Sequence, residues 1–309
     1  MTAGAPAVGD STVGGLMVAE PPSLGAATMV PTPYRVAGRR RDTVDTFTLD
    51  LEPAGEPLAD PAPGQFAMVW SPGVGEVPIS VSGLVSGDGV PGAGAPAPGS
   101  GATWQLTVRA VGATTRRIVD TPVGKVVGLR GPFGRGWSKL PADRPAVVVA
   151  GGVGLAPLRM HIDTMVADRA DPGAAALHVV VGARTPEELL FPDDLERWSS
   201  VADVQVTVDR PSADWQGEVG LVTAPLARLD LAPFTAAALC GPEIMMRFAA
   251  ADLLAAGLDA AAVDVSLERS MACAIAHCGR CQLGPVMVCR DGPVMPWSGA
   301  GPLMDVRRW

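Results

Sequence analysis

The chain changes its hydrophobic grammar once, just after Pro141, and that change limits the folds open to it. Upstream, TFTLDLEP (46–53), QFAMVW (65–70) and WQLTVRAV (104–111) alternate apolar with polar residues, with proline and glycine between them. A period of two puts successive side chains on opposite faces, so these stretches predict short strands of an antiparallel barrel or sandwich. Downstream, AVVVAGGVG (146–154) is apolar throughout and runs into glycines, after which Leu158, Ile162, Met165 and Val166 recur at helical spacing. A strand buried on both faces and followed at once by a helix is the unit of a parallel sheet. LHVVVGAR (177–184), VQVTVD (204–209) and TAAALC (235–240) repeat the strand, and 242–257 reads as a helix stopped by Gly257. With 309 residues, two domains are expected, a β-barrel and an α/β parallel-sheet domain.

Residues 1 to about 30 are rich in Ala, Gly and Pro without periodicity and predict a flexible tail. Ser86 to Ala102 predicts a low-complexity, solvent-exposed connection. A net charge of −8 argues against a broad phosphate-neutralising surface, and so against nucleic acid as a partner; Arg39-Arg40-Arg41 is only a local cluster. The longest apolar stretch, 146 to 158, is too short for a bilayer, so no membrane span is expected. The opening MTAGAPAVGDST lacks the charged start and apolar core of a secretory signal, which predicts a reducing, cytoplasmic location.

Cys273, Cys278, Cys281 and Cys289 form C-x4-C-x2-C followed by a fourth cysteine after seven further residues. That is the spacing of plant-type [2Fe-2S] ligation, in which a short loop brings three thiolates and a fourth arrives from outside. Two disulfides and a structural zinc held by Cys278, Cys281 and either His277 or Cys273 are the alternatives. A chain of this length needs no staples, and zinc sites usually space two C-x2-C pairs. His161 and His178 read as a helix-face and a strand-start residue; His277 could tune a cluster by donating to a sulfur.

Gly151, Gly152 and Gly154 sit at a strand-to-helix turn, where absent side chains let a phosphate approach the backbone. Cys240-Gly241-Pro242 ends a second parallel strand, so both turns belong on one edge of the sheet. Taken alone, such glycines are as often structural.

GEVPIS (75–80), VGATT (111–115), RGPFGRGW (130–137), GGVGLAP (151–157), GARTPEELLF (182–191), CGPEIMM (240–246) and SLERSMAC…C…C…CRDGP (266–293) occur in the order found in the ferredoxin–NADP reductase superfamily, which residues 31 to 297 resemble. Within it, the chain is similar to FAD/NAD(P)-binding iron–sulfur subunits of soluble NiFe hydrogenases (the gamma or diaphorase subunit) and anaerobic sulfite reductases, and more distantly to dihydroorotate dehydrogenase subunits. The resemblance implies an FAD-binding barrel over 31–140, an NAD(P)-binding domain over 141–262 and a [2Fe-2S] segment over 263–309. It further implies that Pro78, Ile79 and Ser80 line the isoalloxazine, and that Gly112 and Thr115 face the FAD pyrophosphate. Gly151, Gly152, Gly154 and Pro157 would bind the NAD(P) pyrophosphate, with Cys240, Gly241 and Pro242 beside the nicotinamide. Ser80 and Cys240 are thus the residues nearest the chemistry, Cys240 as a wall residue rather than a nucleophile.

The usual motif is Arg-x-Tyr-Ser, and Val77 and Ile79 stand here where its Arg and Tyr would be. Arg109 is placed to supply the missing cation, or is a solvated strand residue. Arg184 is placed to bind a 2′-phosphate, and Asp209 either nears the nicotinamide or forms a turn. Glu268 and Arg269 read as a pair beside the cluster loop. The activity implied is an NAD(P)H-dependent oxidoreductase subunit that moves hydride between NAD(P)H and FAD and single electrons to the cluster. Its expected partners are an iron–sulfur electron-transfer subunit and the catalytic subunits of a hydrogenase or sulfite reductase.

Overall fold

The computed structural model describes residues 29–85, 101–171 and 173–304, with a backbone pairing of 12–13 and 16–17. Of the expected tail only that pairing and residues 29–30 are described, and of the expected connection Ser86 to Ala102 only residues 101–102; the rest lies outside the described residues.

Six antiparallel strands, β1 (Thr32–Arg41), β2 (Thr46–Pro53), β3 (Phe66–Ser71), β4 (Gly75–Val85), β5 (Thr103–Arg109) and β6 (Val126–Phe133), close into a barrel in the order β1-β2-β5-β4-β3-β6. Closure removes both sheet edges. The inward residues Tyr34, Val36, Leu49, Leu51, Trp104 and Leu106 are fully buried, and Tyr34 satisfies its hydroxyl by accepting the Leu58 N–H at 3.0 Å. β1, β4 and β6 are absent from the sequence expectation because Pro33, Pro78 and Pro132 interrupt their alternation. The stretch expected to run to 111 stops at Arg109, where the chain turns into helix α1 (Ala113–Val119), which plugs the barrel with Ile118 and Val119. The basic cluster 39–41 closes β1 and is locally engaged, with Arg39 over the Phe47 ring and Arg40 paired to Asp42 at 2.8 Å.

The second layer is a sheet of seven strands: β7 (Ala146–Gly151), β8 (Leu177–Ala183), β9 (Asp203–Val208), β10 (Glu218–Val219), β11 (Ala236–Cys240), β12 (Val263–Ser266) and β15 (Val294–Pro296), in the order β10-β9-β8-β7-β11-β12-β15. All pairs are parallel except β12 with β15. Helices α2 (Leu155–Asp168) and α3 (Pro192–Ser199) cover one face, and α4 (Thr223–Arg228) and α5 (Glu243–Ala255) the other, each with its own apolar core. This explains the continuous apolar strands, which have no wet face. The order reverses beside β7, so the turns after β7 and β11 open a crevice at the carboxyl edge.

The cysteines lie between β12 and β15, in an excursion that includes a small hairpin of β13 (Gln282–Leu283) and β14 (Val286–Met287) and the short helix α6 (Val288–Asp291); α7 (Trp297–Met304) follows. Cys281 and Cys289 are buried in the same core as Phe66 and Phe133 of the barrel and Met246 and Ala249 of α5. The barrel, sheet and cysteine segment therefore share packing. Among the described residues no helix is long and apolar enough to cross a membrane.

Candidate functional site

Two cavities meet at the seam between barrel and sheet. The first, about 400 Å³, is lined by Pro78, Ile79 and Ser80 of β4, Arg109 of β5, Val111, Thr115, Pro157 and Cys240, and closed by Ser266–Arg269, Met271 and Pro293. The second, about 570 Å³, runs along the carboxyl edge of the sheet past Gly151, Gly152, Gly154, Arg184, Asp209, Gly241 and Pro242. Arg109, Val153, Leu267, Glu268 and Arg269 line both, so the two are one continuous site with a shared wall.

The turns after β7 and β11 touch through backbone. A Cβ added to Gly154 would stand under 3.0 Å from the Cys240 carbonyl, and Gly241, at φ 155, has the Gly151 backbone 3.0 Å from where its Cβ would be. By contrast Gly152, at φ 55, faces open space, which leaves its backbone free for a ligand. The Cys240-Gly241-Pro242 turn is divided, Cys240 lining the first cavity and Gly241 and Pro242 the second. Burial pushes the Cys240 thiol up to about 12, with the nearby Glu268 carboxylate adding to it and the Ser266 hydrogen bond opposing. A thiol so held stays protonated and is a wall rather than a nucleophile.

Arg109 is not merely solvated: its Nε donates to Asp45 at 2.8 Å, and both face the second cavity. Burial raises the Asp45 carboxyl, but hydrogen bonds from Arg109, Thr46 and Thr43 outweigh that and hold it below its ordinary value. Gly112 lines neither cavity; its N–H and that of Val111 donate to the Thr115 hydroxyl at 2.9 and 3.1 Å, so Thr115 caps α1 while lining the first cavity. Glu268 and Arg269 are not an isolated surface pair. Arg269 donates to the Glu268 main-chain carbonyl at 2.7 Å and lies 3.9 Å from the Glu243 carboxylate. Their place on the shared wall had no sequence signal beyond proximity to Cys273. Ile244 and Phe248, on the exposed side of α5, also line the second cavity and were invisible as site residues because helical spacing alone explains them.

The cysteine loop turns its amides toward sulfur. Ile275, His277 and Cys278 present N–H groups to Cys273 Sγ at 3.5, 3.3 and 3.3 Å, Ala276 to Cys289 Sγ at 3.1 Å, and Cys289 to Cys281 Sγ at 3.4 Å. Ala274 and Ala276 take φ of 63 and 57, a left-handed conformation that residues with a Cβ avoid, and this turns successive amides inward. His277 thus approaches a sulfur through its main chain, not its ring. Cys273 lies close to Cys278, and Cys289 close to Cys281 with Cys273 also near it. Among the described residues no three His, Cys, Asp or Glu side chains converge on one ion position. None of the five cysteines is in a disulfide.

Residues 148–251 match the model of the oxidoreductase NAD-binding domain. A protein of Methanocella arvoryzae named "Probable dihydroorotate dehydrogenase B (NAD(+)), electron transfer subunit" is 34% identical over 254 residues, covering 82% of this chain and 84% of its own length. A protein of the same name from Methanocaldococcus jannaschii is 33% identical, covering 82% and 83%. Among solved structures, one titled for the NADH-dependent reduced ferredoxin-NADP oxidoreductase aligns with a TM-score of 0.68 at 22% identity over 89% of this chain and 94% of its own. A ferredoxin reductase of carbazole 1,9a-dioxygenase aligns at 0.62 and 20% identity, over 76% and 68%. These relatives are named for dihydroorotate dehydrogenase B, and the expected hydrogenase or sulfite reductase assignment gains no support from them. With its barrel, its reversed parallel sheet and relatives of this identity over most of its length, the chain has the ferredoxin–NADP reductase-like fold and belongs to the family of the electron transfer subunits of dihydroorotate dehydrogenase B.

Proposed function

We propose that this chain is the electron transfer subunit of a dehydrogenase of the dihydroorotate dehydrogenase B type, linking a nicotinamide nucleotide to a partner through FAD and a [2Fe-2S] cluster. FAD would exchange a hydride with NAD(P)H, two electrons at once, and the cluster would pass electrons singly. The observation that carries the reading is the shared wall: Arg109, Val153, Leu267, Glu268 and Arg269 border both cavities, so a flavin site and a nucleotide site would lie side by side.

The residues fit those groups by their chemistry. Pro78, Ile79 and Phe66 give the first cavity an apolar wall, Ser80 and Thr107 add hydroxyls, and Arg109 brings the cation that Val77 does not. Gly152 would offer bare backbone to a pyrophosphate just before α2, with Gly151 and Gly154, packed against the Cys240–Pro242 turn and Met245, lining the same cavity. Cys240 and Ser80, which both line the first cavity, would stand beside a bound flavin, and the Cys240 thiol, kept protonated by burial, would take no part in proton exchange near neutrality. Cys273, Cys278, Cys281 and Cys289 would hold the cluster, with amide donors on the sulfurs stabilising the added negative charge of its reduced form.

The purified chain is expected to show flavin absorbance together with iron and labile sulfide, and to oxidise NADH or NADPH with an artificial acceptor. A colourless protein carrying zinc would end this reading. Mass spectrometry of the native complex is expected to find a dihydroorotate dehydrogenase chain; a hydrogenase chain in its place would overturn the partner assignment. Arg184, which follows β8 and lines the second cavity, would meet a 2′-phosphate in this reading. Arg184→Ala is expected to lower kcat/KM for NADPH about tenfold while leaving NADH within about twofold, a loss of one charge-assisted contact. Equal effects on both nucleotides would remove Arg184 from that role.

A further inference from the structure

Arg130, on β6, has a side chain only 2% exposed. Its Nε and Nη2 clamp the two carboxylate oxygens of Glu76 on β4 at 2.7 and 2.6 Å. Its Nη1 and Nη2 also donate to the main-chain carbonyls of Cys273 and Ala272 at 3.1 and 3.3 Å, and its guanidinium lies 5.6 Å from the Phe133 ring centroid. Neither Arg130 nor its partners line the first cavity, but each end of the span is joined in the chain to a residue that does. Glu76 stands two residues before Pro78, and Met271, which lines that cavity, immediately precedes Ala272.

The same stretch of barrel holds the far end of the excursion, since the Arg135 N–H donates to the Gly292 carbonyl. The segment 130–135 thus grips the cysteine loop at its entry and its exit. A buried ion pair adds little net stability over apolar residues of equal volume, so stability alone gives weak reason for a charge here. A planar guanidinium with five donors can clamp a carboxylate and reach two carbonyls together, which a lysine ammonium cannot reproduce.

We propose that Arg130 is a positioning residue for electron transfer: it fixes the Cys273 end of the loop against the barrel strand that carries Glu76 and Pro78 and holds a positive charge beside Cys273. This rests on the flavin and [2Fe-2S] reading above. A fixed cation beside Cys273 favours the reduced, more negative cluster, and the Glu76 carboxylate opposes it. Arg130 and Glu76 therefore act on the cluster potential with opposite signs, whereas a pair that held the loop but stood too far from the cluster for its charges to be felt would leave the midpoint unmoved.

The test is an EPR-monitored redox titration of the full purified chain, with iron content measured alongside. Arg130→Met is expected to lower the cluster midpoint and to slow flavin-to-cluster electron transfer, and Glu76→Gln is expected to raise the midpoint. Shifts of the same sign in both variants, or no shift in either at full iron content, overturn the role of Arg130. A wild type without an iron–sulfur EPR signal removes the reading beneath it, and the proposal with it; a normal wild-type signal with unmoved variants removes the proposal alone. If Arg130→Met fails to retain iron, Arg130→Lys takes its place: with the charge kept and the clamp lost, its midpoint must stay near wild type while flavin-to-cluster transfer slows, and the midpoint must rise in Glu76→Gln; any other pattern counts against the proposal.

Discussion

His161 is a neutral ring sealed inside the molecule. It is 5% exposed, stacks on Trp137 with ring centroids 5.7 Å apart, and its Nε2 has no hydrogen-bond partner. Burial, reinforced by the Arg169 charge, pushes its pKa from 6.5 down to about 4. Because the folded value is the lower one, stability is complete above the unfolded pKa and drains away as pH falls through the window from 6.5 toward 4. Between pH 7 and pH 5 the wild type is expected to lose about 2 kcal/mol more than His161→Phe, read as denaturant midpoints, because only the wild-type unfolded chain takes up that proton. Equal pH slopes would place the proton elsewhere. Cys240 makes the complementary case for a silent group: with its thiol at about 12 and 3% exposed, it is expected to escape iodoacetamide at pH 8 in the native protein and to react once unfolded. Rapid native labelling, located by peptide mass spectrometry, would contradict the wall assignment.

At the scale of elements, the turns after β7 and β11 matter more than any side chain on them. Their backbones are so close that Gly154 tolerates no Cβ without displacing Cys240 and Gly241. Gly154→Ala is expected to cost about 1–3 kcal/mol as an overpacked contact. It should also weaken nicotinamide nucleotide binding at least tenfold, because the displaced turns line that cavity. Gly55→Ala, where an added Cβ meets nothing within 4 Å, serves as the control and is expected to leave binding and Tm unchanged. A Gly154→Ala protein that binds nucleotide normally would show the close approach to be dispensable.

Across the whole molecule, barrel and sheet are joined by a buried polar chain. Arg159 of α2 donates to Asp194 of α3 at 2.6 Å and to Gln105 of β5 at 2.6 Å, and Gln105 donates to Asp50 of β2 at 2.8 Å. Gly83 leaves room for it, since a Cβ there would meet both Gln105 and Arg159. Trp137 adds a second tie through Nε1 to the Pro157 carbonyl at 2.9 Å. Removing one member of such a chain leaves its partners buried and short of a donor. Arg159→Met is accordingly expected to destabilise the protein by roughly 3 kcal/mol, visible as a drop in Tm, with the loss shared by both layers. A change confined to the sheet would mean that the two layers do not fold as one.

The strands 46–53 and 146–151 were legible because their periods, two and continuous, report directly which faces are dry, and the helix over 243–255 because its boundaries carry Pro242 and Gly257. The glycine turns were legible because close backbone approach restricts residue type. The sequence alone therefore determined the two architectures, their order and the two glycine turns, since each is a local rule about a short stretch of chain. Only the tertiary structure decided that Glu268 and Arg269 form the wall between two cavities, that Arg109 leans on Asp45, and that Arg130 reaches the Cys273 carbonyl across 143 positions of sequence. Those pairings depend on where closed barrel and open sheet meet, and no periodicity within either element encodes that meeting.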